Sequence, residues 1–272
     1  MKKFSFLNFK NNKEEDYPPE IKGDYKVNEE DNLLNEEENK DSKEEEGKLK
    51  EKFQEIKEFG TTNESDDESI QVLPIIGQIE GHQVLPAQAK ATKYEHVIPQ
   101  LISIERNEKV KGVLIVLNTV GGDVEAGLAI AEMINSLSKP TVSIVIGGGH
   151  SIGVPLATSS SYSFITPSAT MIVHPIRMNG FVIGVSQTFE YFQKMQERID
   201  NFIVRTSKIE KSRLKEMMLK SDELLNDMGT ILIGEQAVEC GLIDEVGGIN
   251  DALSKLKDLI ESQENNQEEN NI

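Results

Sequence analysis

The chain of 272 residues has no tryptophan and one cysteine, Cys240. A lone thiol cannot close an internal disulfide, so the core must hold the fold, and a reducing compartment is expected. Basic residues are scarce: 29 Lys and Arg stand against 47 Asp and Glu, for a formal net charge of −18. Binding to nucleic acid, whose phosphates need clusters of Lys and Arg, is therefore not expected. No apolar run approaches the roughly 20 residues that span a bilayer, so no transmembrane segment is expected. Met1-Lys2-Lys3-Phe4 has the charge of a signal peptide but no apolar stretch behind it, and Phe4 to Phe9 reads as a frayed terminus. A soluble, cytoplasmic protein is the expectation. His, Cys, Asp and Glu nowhere cluster at ligand spacing, so no metal or other cofactor is expected.

The acidity is unevenly distributed. Residues 1–68 hold 12 lysines and 22 acidic residues, a net of −10, with few Val or Ile and no sustained apolar period. Such a segment cannot bury enough apolar surface to offset the entropy of ordering, and it is predicted to be a disordered acidic tail. Residues 263–272, almost wholly Gln, Glu and Asn, are predicted to be a second tail. Residues 69–262, about 190 in all, are enough for a well-buried core.

Within that core, Gln71 to Gly77 reads as a strand and Pro99 to Arg106 as a short helix. Gly112-Val-Leu-Ile-Val-Leu117 is apolar throughout, short and rich in β-branched residues, which predicts a buried parallel strand. It leads into Asn118-Thr-Val-Gly-Gly-Asp123 and a helix over Ala126–Leu137, stopped by Lys139-Pro140. The phrase then repeats. Thr141–Ile146 is a second buried strand, Gly147-Gly-Gly-His-Ser-Ile-Gly153 a second glycine-rich turn, and Val154–Ser159 the start of a helix. Tyr162–Ile165 and Thr170–Val173 are two further short strands, the latter ending on His174-Pro175. Strand–turn–helix units in series predict an α/β fold with a mostly parallel sheet, both glycine turns lying at the carboxyl ends of strands where such sheets place ligands. Over 186–205, Phe189, Phe192, Met195, Ile199, Phe202 and Ile203 recur at spacings of three and four, an apolar stripe that predicts a packing face. Leu214–Leu219 and Glu235–Gly241 read as helices and Leu242–Val246 as a last strand.

Gly149-His-Ser-Ile-Gly153 fits G-x-S-x-G, in which flanking glycines allow a sharp turn that exposes the hydroxyl. A serine needs a base. Of the four histidines, His82 and His96 come early, and His150 adjoins the serine in a tight turn that should aim it away. His174 ends a neighbouring strand at the same edge of the sheet. No Asp or Glu lies between Ile152 and Val173 and no histidine follows His174, which excludes the Ser–acid–His order of α/β-hydrolases. An acid must lie well before the serine or after the histidine, where Asp222, Glu223 and Asp227 are candidates. Gly121-Gly122 can present backbone N–H groups without a side chain in the way. With the N–H after Ser151, these could bind a developing oxyanion, each donor lowering the barrier by about 3–4 kcal/mol.

Asn118-Thr-Val-Gly-Gly-Asp-Val-Glu-Ala-Gly-Leu-Ala-Ile130, the serine turn, Met171-Ile-Val-His-Pro175 and Glu235-Gln-Ala-Val-Glu-Cys-Gly-Leu-Ile-Asp244 resemble, in order and spacing, the proteolytic subunit of Clp protease. The resemblance runs from about residue 73 to 255. Pro74 to His82, Lys93 to His96 and Gly147 to Pro155 look more like one subgroup, the translocation-enhancing proteins of Gram-positive bacteria. The resemblance implies a Clp/crotonase-type superfold of repeated β-β-α units, with residues 186–205 as the protruding handle helix through which rings stack. It implies Ser151 as nucleophile, His174 as base, and Gly122 and Ile152 as oxyanion donors. Gly229 falls where the family has its acid, and Asp227, two residues earlier, is the nearest substitute. Thr119-Val120 replaces the family's usual Ser-Pro. The acidic tail replaces the short loop at the pore entrance, which bears on docking to an ATP-driven unfoldase. A peptidase acting on peptides or unfolded protein as a homo-oligomer is the first expectation, and a catalytically impaired scaffold assisting secretion the second. A crotonase-type acyl-CoA enzyme would need no serine, and a Ser–Lys peptidase would rest on Lys139, poorly placed at a helix end.

Overall fold

A computed structural model describes residues 69–177, 184–221 and 228–270. The acidic segment 1–68 lies outside them. The apolar run after Lys111 becomes β3 (Gly112–Gly122), the centre of the sheet, flanked by β1 (Ile70–Glu80) and β4 (Thr141–Gly149), both parallel to it. A short β2 (Ala91–Lys93) extends the β1 edge, and β5 (Tyr162–Ile165) and β8 (Glu245–Val246) extend the other, giving the order β2-β1-β3-β4-β5-β8. Every pairing along this path is parallel.

Parallel neighbours need crossovers, and helices supply them. α1 (Tyr94–Arg106) leads into β3, α2 (Val124–Asn135) links β3 to β4, and α3 (Gly153–Thr158) leads from β4 towards β5. Then come β6 (Thr170–Val173), α4 (Val185–Thr206), α5 (Lys211–Met218), β7 (Thr230–Ile233), α6 (Glu235–Glu239) and, after β8, α7 (Ile249–Asn270). One face of the sheet carries the main core, in which Ile75, Ile115 and Leu117 meet Leu101, Ile130 and Phe202. The other face is covered by α7, whose Ala252 and Leu256 pack on Leu114, Ile144 and Phe164. Helices on both faces of a parallel sheet are the α/β arrangement read from the sequence.

Several boundaries differ from expectation. The glycine pair 121–122 is not a turn after β3 but its last two residues, paired with Gln78 and Ile79 of β1. The last strand shrinks to Glu245–Val246 because the N–H groups of Leu242 and Ile243 are both drawn to the carbonyl of Ala237 in α6. The predicted tail from residue 263 is instead helical through Asn270, as the continuation of α7, and Gln263 Nε2 donates to the Ser138 carbonyl at 2.9 Å. The apolar stripe of α4 divides. Met195, Ile199, Phe202 and Ile203 are buried from its middle onward, whereas Phe189 nearer its start is 63% exposed.

Candidate active site

The serine turn is built by β4 changing partners. Its first part, Val142–Val145, pairs with β5, while Gly148 pairs with Thr170 of β6. Asn118 holds the diverging glycines, its Oδ1 accepting the Gly148 N–H at 2.9 Å. β6 then runs alongside the turn, and the Ser151 N–H donates to the Ile172 carbonyl at 2.9 Å. This places His174, two residues past Ile172, next to a serine 23 positions earlier in the chain. β3 shifts register against β4 between Leu117 and Thr119, a bulge of the kind that re-aims side chains beside sites.

Ser151 is the one non-glycine residue among those described with positive φ, at 57°. An L-residue in the left-handed region costs roughly 1–2 kcal/mol. The turn is over-determined: the His150 N–H donates to the Thr119 carbonyl, and the Gly153 and Val154 N–H groups donate to the His150 and Ser151 carbonyls. Among the described residues none accepts from the N–H of Ile152, at the entry to α3. Gly121, with φ at 87°, must be glycine, because a Cβ there would lie 2.7 Å from the Ser151 Cβ. At Gly122 a Cβ would lie 2.2 Å from the Ile79 carbonyl oxygen.

Ser151, His174, Gly122 and Ile152 all line one cleft of about 430 Å3. Its wall is apolar, from Val154, Val173, Ile199, Ile203 and Met218, and Arg177 stands at it as a cation. The His174 Nδ1 lies 2.7 Å from the Pro175 carbonyl oxygen. A carbonyl only accepts, so in this bond Nδ1 carries the proton and Nε2 of the neutral ring keeps its lone pair. His150 is turned to Thr170, its Nε2 lying 2.8 Å from Oγ1. Burial, and after it the charge of His174, hold the His150 imidazole below the usual histidine range.

Asp227, Asp222 and Glu223 lie outside the described residues. Two polar residues that sequence reasoning passed over do approach the site. Gln196 lines the cleft and accepts the Ile176 N–H on Oε1 at 2.7 Å, while its Nε2 donates to the Oδ1 of Asp200 at 2.7 Å. Asp200 is 2% exposed. Their signal in the sequence is a Gln–Asp pair at i, i+4 inside the apolar stripe of α4, hence on its buried face. Arg198 and Arg205 hold the same half of α4 to α2 by ion pairs of 2.7 Å with Glu125 and Glu132. Among the described residues no group of three His, Cys, Asp or Glu could hold a metal, and no helix is long and apolar enough to cross a membrane.

The profile of the Clp protease family matches residues 69–250, which take in the whole sheet and every described residue of the cleft. The chain belongs to the Clp protease family. Over 213 residues it is 56% identical to the translocation-enhancing protein TepA of Halalkalibacterium halodurans, covering 78% of this chain and 83% of that protein. It is 29% identical over 157 residues to the ATP-dependent Clp protease proteolytic subunit of Lactococcus lactis subsp. cremoris, covering 55% of this chain and 74% of that one. The proteolytic subunit of Streptococcus pyogenes is 28% identical over 141 residues, covering 47% of this chain and 71% of its own. The Clp fold read from the sequence is thus the fold of the chain. The likeness to a translocation-enhancing protein is much the stronger of the two.

Proposed function

We propose that this chain is a serine-type endopeptidase that cleaves peptides or unfolded protein in the cytoplasm, in connection with protein secretion. The observation that carries the reading is Ser151: a left-handed φ of 57° on a non-glycine residue, held by hydrogen bonds on both sides, in a cleft shared with His174. Strain of this kind, over-determined by its surroundings, clusters at functional sites. Ser151 Oγ attacks the substrate carbonyl and His174 Nε2 takes the hydroxyl proton. The tetrahedral oxyanion is held by the N–H groups of Gly122 and Ile152. The proton then passes from His174 to the leaving amine, and water repeats the sequence on the acyl-enzyme. Asp227 is assigned to the third place of the triad on the family resemblance; in the conformation described, the acceptor at His174 Nδ1 is the Pro175 carbonyl. The chemistry needs no metal or cofactor. The exposed first half of α4 suits a homo-oligomer, a ring by family resemblance, and the acidic segment in place of the short pore-entrance loop counts against an ATP-driven unfoldase as its partner.

A second reading has its own support, the 56% identity to a protein named for enhancing translocation. In that reading the fold is kept as a scaffold assisting translocation and Ser151 is unreactive. Labelling with a fluorophosphonate probe, with the modified peptide mapped, separates the two. The first predicts label on Ser151 in the wild type, and loss of label and of peptide cleavage in Ser151→Ala. Folded wild type that takes no label supports the scaffold, and full cleavage by Ser151→Ala overturns the serine mechanism.

A further inference from the structure

We propose that Asp200 orients and polarises His174 through a three-bond relay, with Gln196 and Asp200 as positioning residues of the serine site. The inference rests on the reading of His174 as the base of Ser151. The relay begins at the ring: Nδ1–H donates to the Pro175 carbonyl at 2.7 Å. The other end of that same peptide group, the Ile176 N–H, donates to Gln196 Oε1 at 2.7 Å. Gln196 Nε2 donates in turn to Asp200 Oδ1 at 2.7 Å. Every donor points the same way, from the imidazole to the carboxylate, so the three bonds polarise one another.

Asp200 decides the direction of the chain. A carboxylate only accepts, so it fixes the Gln196 amide with its nitrogen towards Asp200 and its oxygen towards Ile176. The amide nitrogen also meets Met218 Sδ at 3.3 Å, a second acceptor that favours the same orientation. Water screens the carboxylate little, since it is 2% exposed. The half of α4 that carries both residues is pinned to α2 by the Arg198–Glu125 and Arg205–Glu132 pairs. When the ring takes the serine proton, its positive charge faces a chain of aligned dipoles ending in a negative charge. A tie that only closed α4 onto the cleft wall would not need a charge at its far end.

The test separates charge from packing. Asp200→Asn keeps an oxygen that can accept from Gln196 and removes the charge, while Gln196→Leu breaks the relay. Fluorophosphonate labelling of Ser151 is followed against pH in the full-length protein, with melting temperature as a check on folding. Labelling at neutral pH should fall about tenfold in Asp200→Asn and up to about a hundredfold in Gln196→Leu, short of the roughly 10⁴ that loss of a directly bonded triad acid can cost. The negative charge favours the imidazolium, so its removal lowers the pKa of His174 and moves the acid limb of the Asp200→Asn profile to lower pH. Other ionisable groups by the ring or at the cleft, His150 and Arg177 among the described residues and Asp227 by the family resemblance, are the same in all variants. Gln196→Glu adds a rescue. Beside Asp200 its carboxyl is driven to the protonated form, and once protonated it reproduces the amide's donor and acceptor. Its labelling relative to wild type should therefore rise as pH falls. Wild-type rate and acid limb in Asp200→Asn, at unchanged melting temperature, would overturn the proposal. If wild type takes no label, the peptidase reading fails by itself and the relay is read from the His174 ring by NMR titration: a lowered pKa in Asp200→Asn supports it, an unchanged one overturns it.

Discussion

Replacing Gly121 by alanine tests whether the end of β3 is shaped around the nucleophile. The new methyl would lie 2.7 Å from the Ser151 Cβ and 2.8 Å from the His150 carbonyl oxygen, both in the over-determined serine turn. Neither can swing aside as the end of a flexible side chain could. Overpacking of this kind costs about 1–3 kcal/mol. The backbone at φ 87° adds roughly 1–2 kcal/mol for any residue with a Cβ. The sum, about 2–5 kcal/mol, is a large part of the roughly 5–15 kcal/mol that holds a domain folded. At about 2–4 °C per kcal/mol for a domain of this size, the melting temperature should drop by about 4–20 °C. Gly248→Ala is the control. Its added methyl would meet nothing nearer than Asp251 Oδ2 at 3.8 Å, and the gain from a stiffer unfolded chain is offset by the loss of glycine at the N-cap of α7, so its stability should stay within about 1 kcal/mol of wild type. Urea denaturation of the three proteins at one concentration gives both differences. Gly121→Ala should also lose Ser151 labelling, because relief of the clash moves the serine. A Gly121→Ala protein within about 0.5 kcal/mol of wild type, the range of an ordinary surface change, would refute the argument.

The hydrogen bond from Arg198 draws the Glu125 carboxyl below its ordinary range, against an opposing effect of burial. Its stabilisation is present above the unfolded carboxyl pKa of about 4.3 and is lost as pH falls through the lower folded value. Both partners are nearly half exposed, so the coupling should be a few tenths to about 1 kcal/mol in a double-mutant cycle at pH 7 and should shrink as pH falls through the lowered folded pKa of Glu125. A coupling that grew on acidification would contradict this. The first half of α4 leaves Val185, Phe189 and Tyr191 exposed, and the proposed homo-oligomer would cover them. Phe189→Asp should therefore lower the mass seen by light scattering while the melting transition stays cooperative. A wild type that is monomeric at micromolar concentration would remove the oligomer from the reading.

By itself the sequence determined the parts of this protein that depend on local period and on residue chemistry. Continuous β-branched runs named β3 and β4 as buried strands, the 3–4 spacing named α4, and glycines marked the two places where backbone must come close. That Ser151 and His174 would meet at one edge of the sheet was legible because the serine stands in a flanked turn and the histidine ends a strand, and both line one cleft. What the sequence left open was decided by packing. The short β2 and β7 carry too few residues to show a period; β2 forms on the edge of the longer β1, and β7 pairs antiparallel with β6. The end of α7 reads as polar tail, since the apolar face that anchors the helix, Ala252 and Leu256, lies earlier in it and finds its partner across the sheet. Gln196 and Asp200 interrupt an apolar stripe, and the spacing alone puts them on the buried face of α4 without naming their partners. Only the fold, by laying α4 against the segment after β6, puts the amide on the Ile176 N–H and a buried carboxylate behind it. The reason is physical: helix and strand periods are fixed by neighbours along the chain, but the partner of a hydrogen bond 20 residues away is fixed by which surfaces the core brings together.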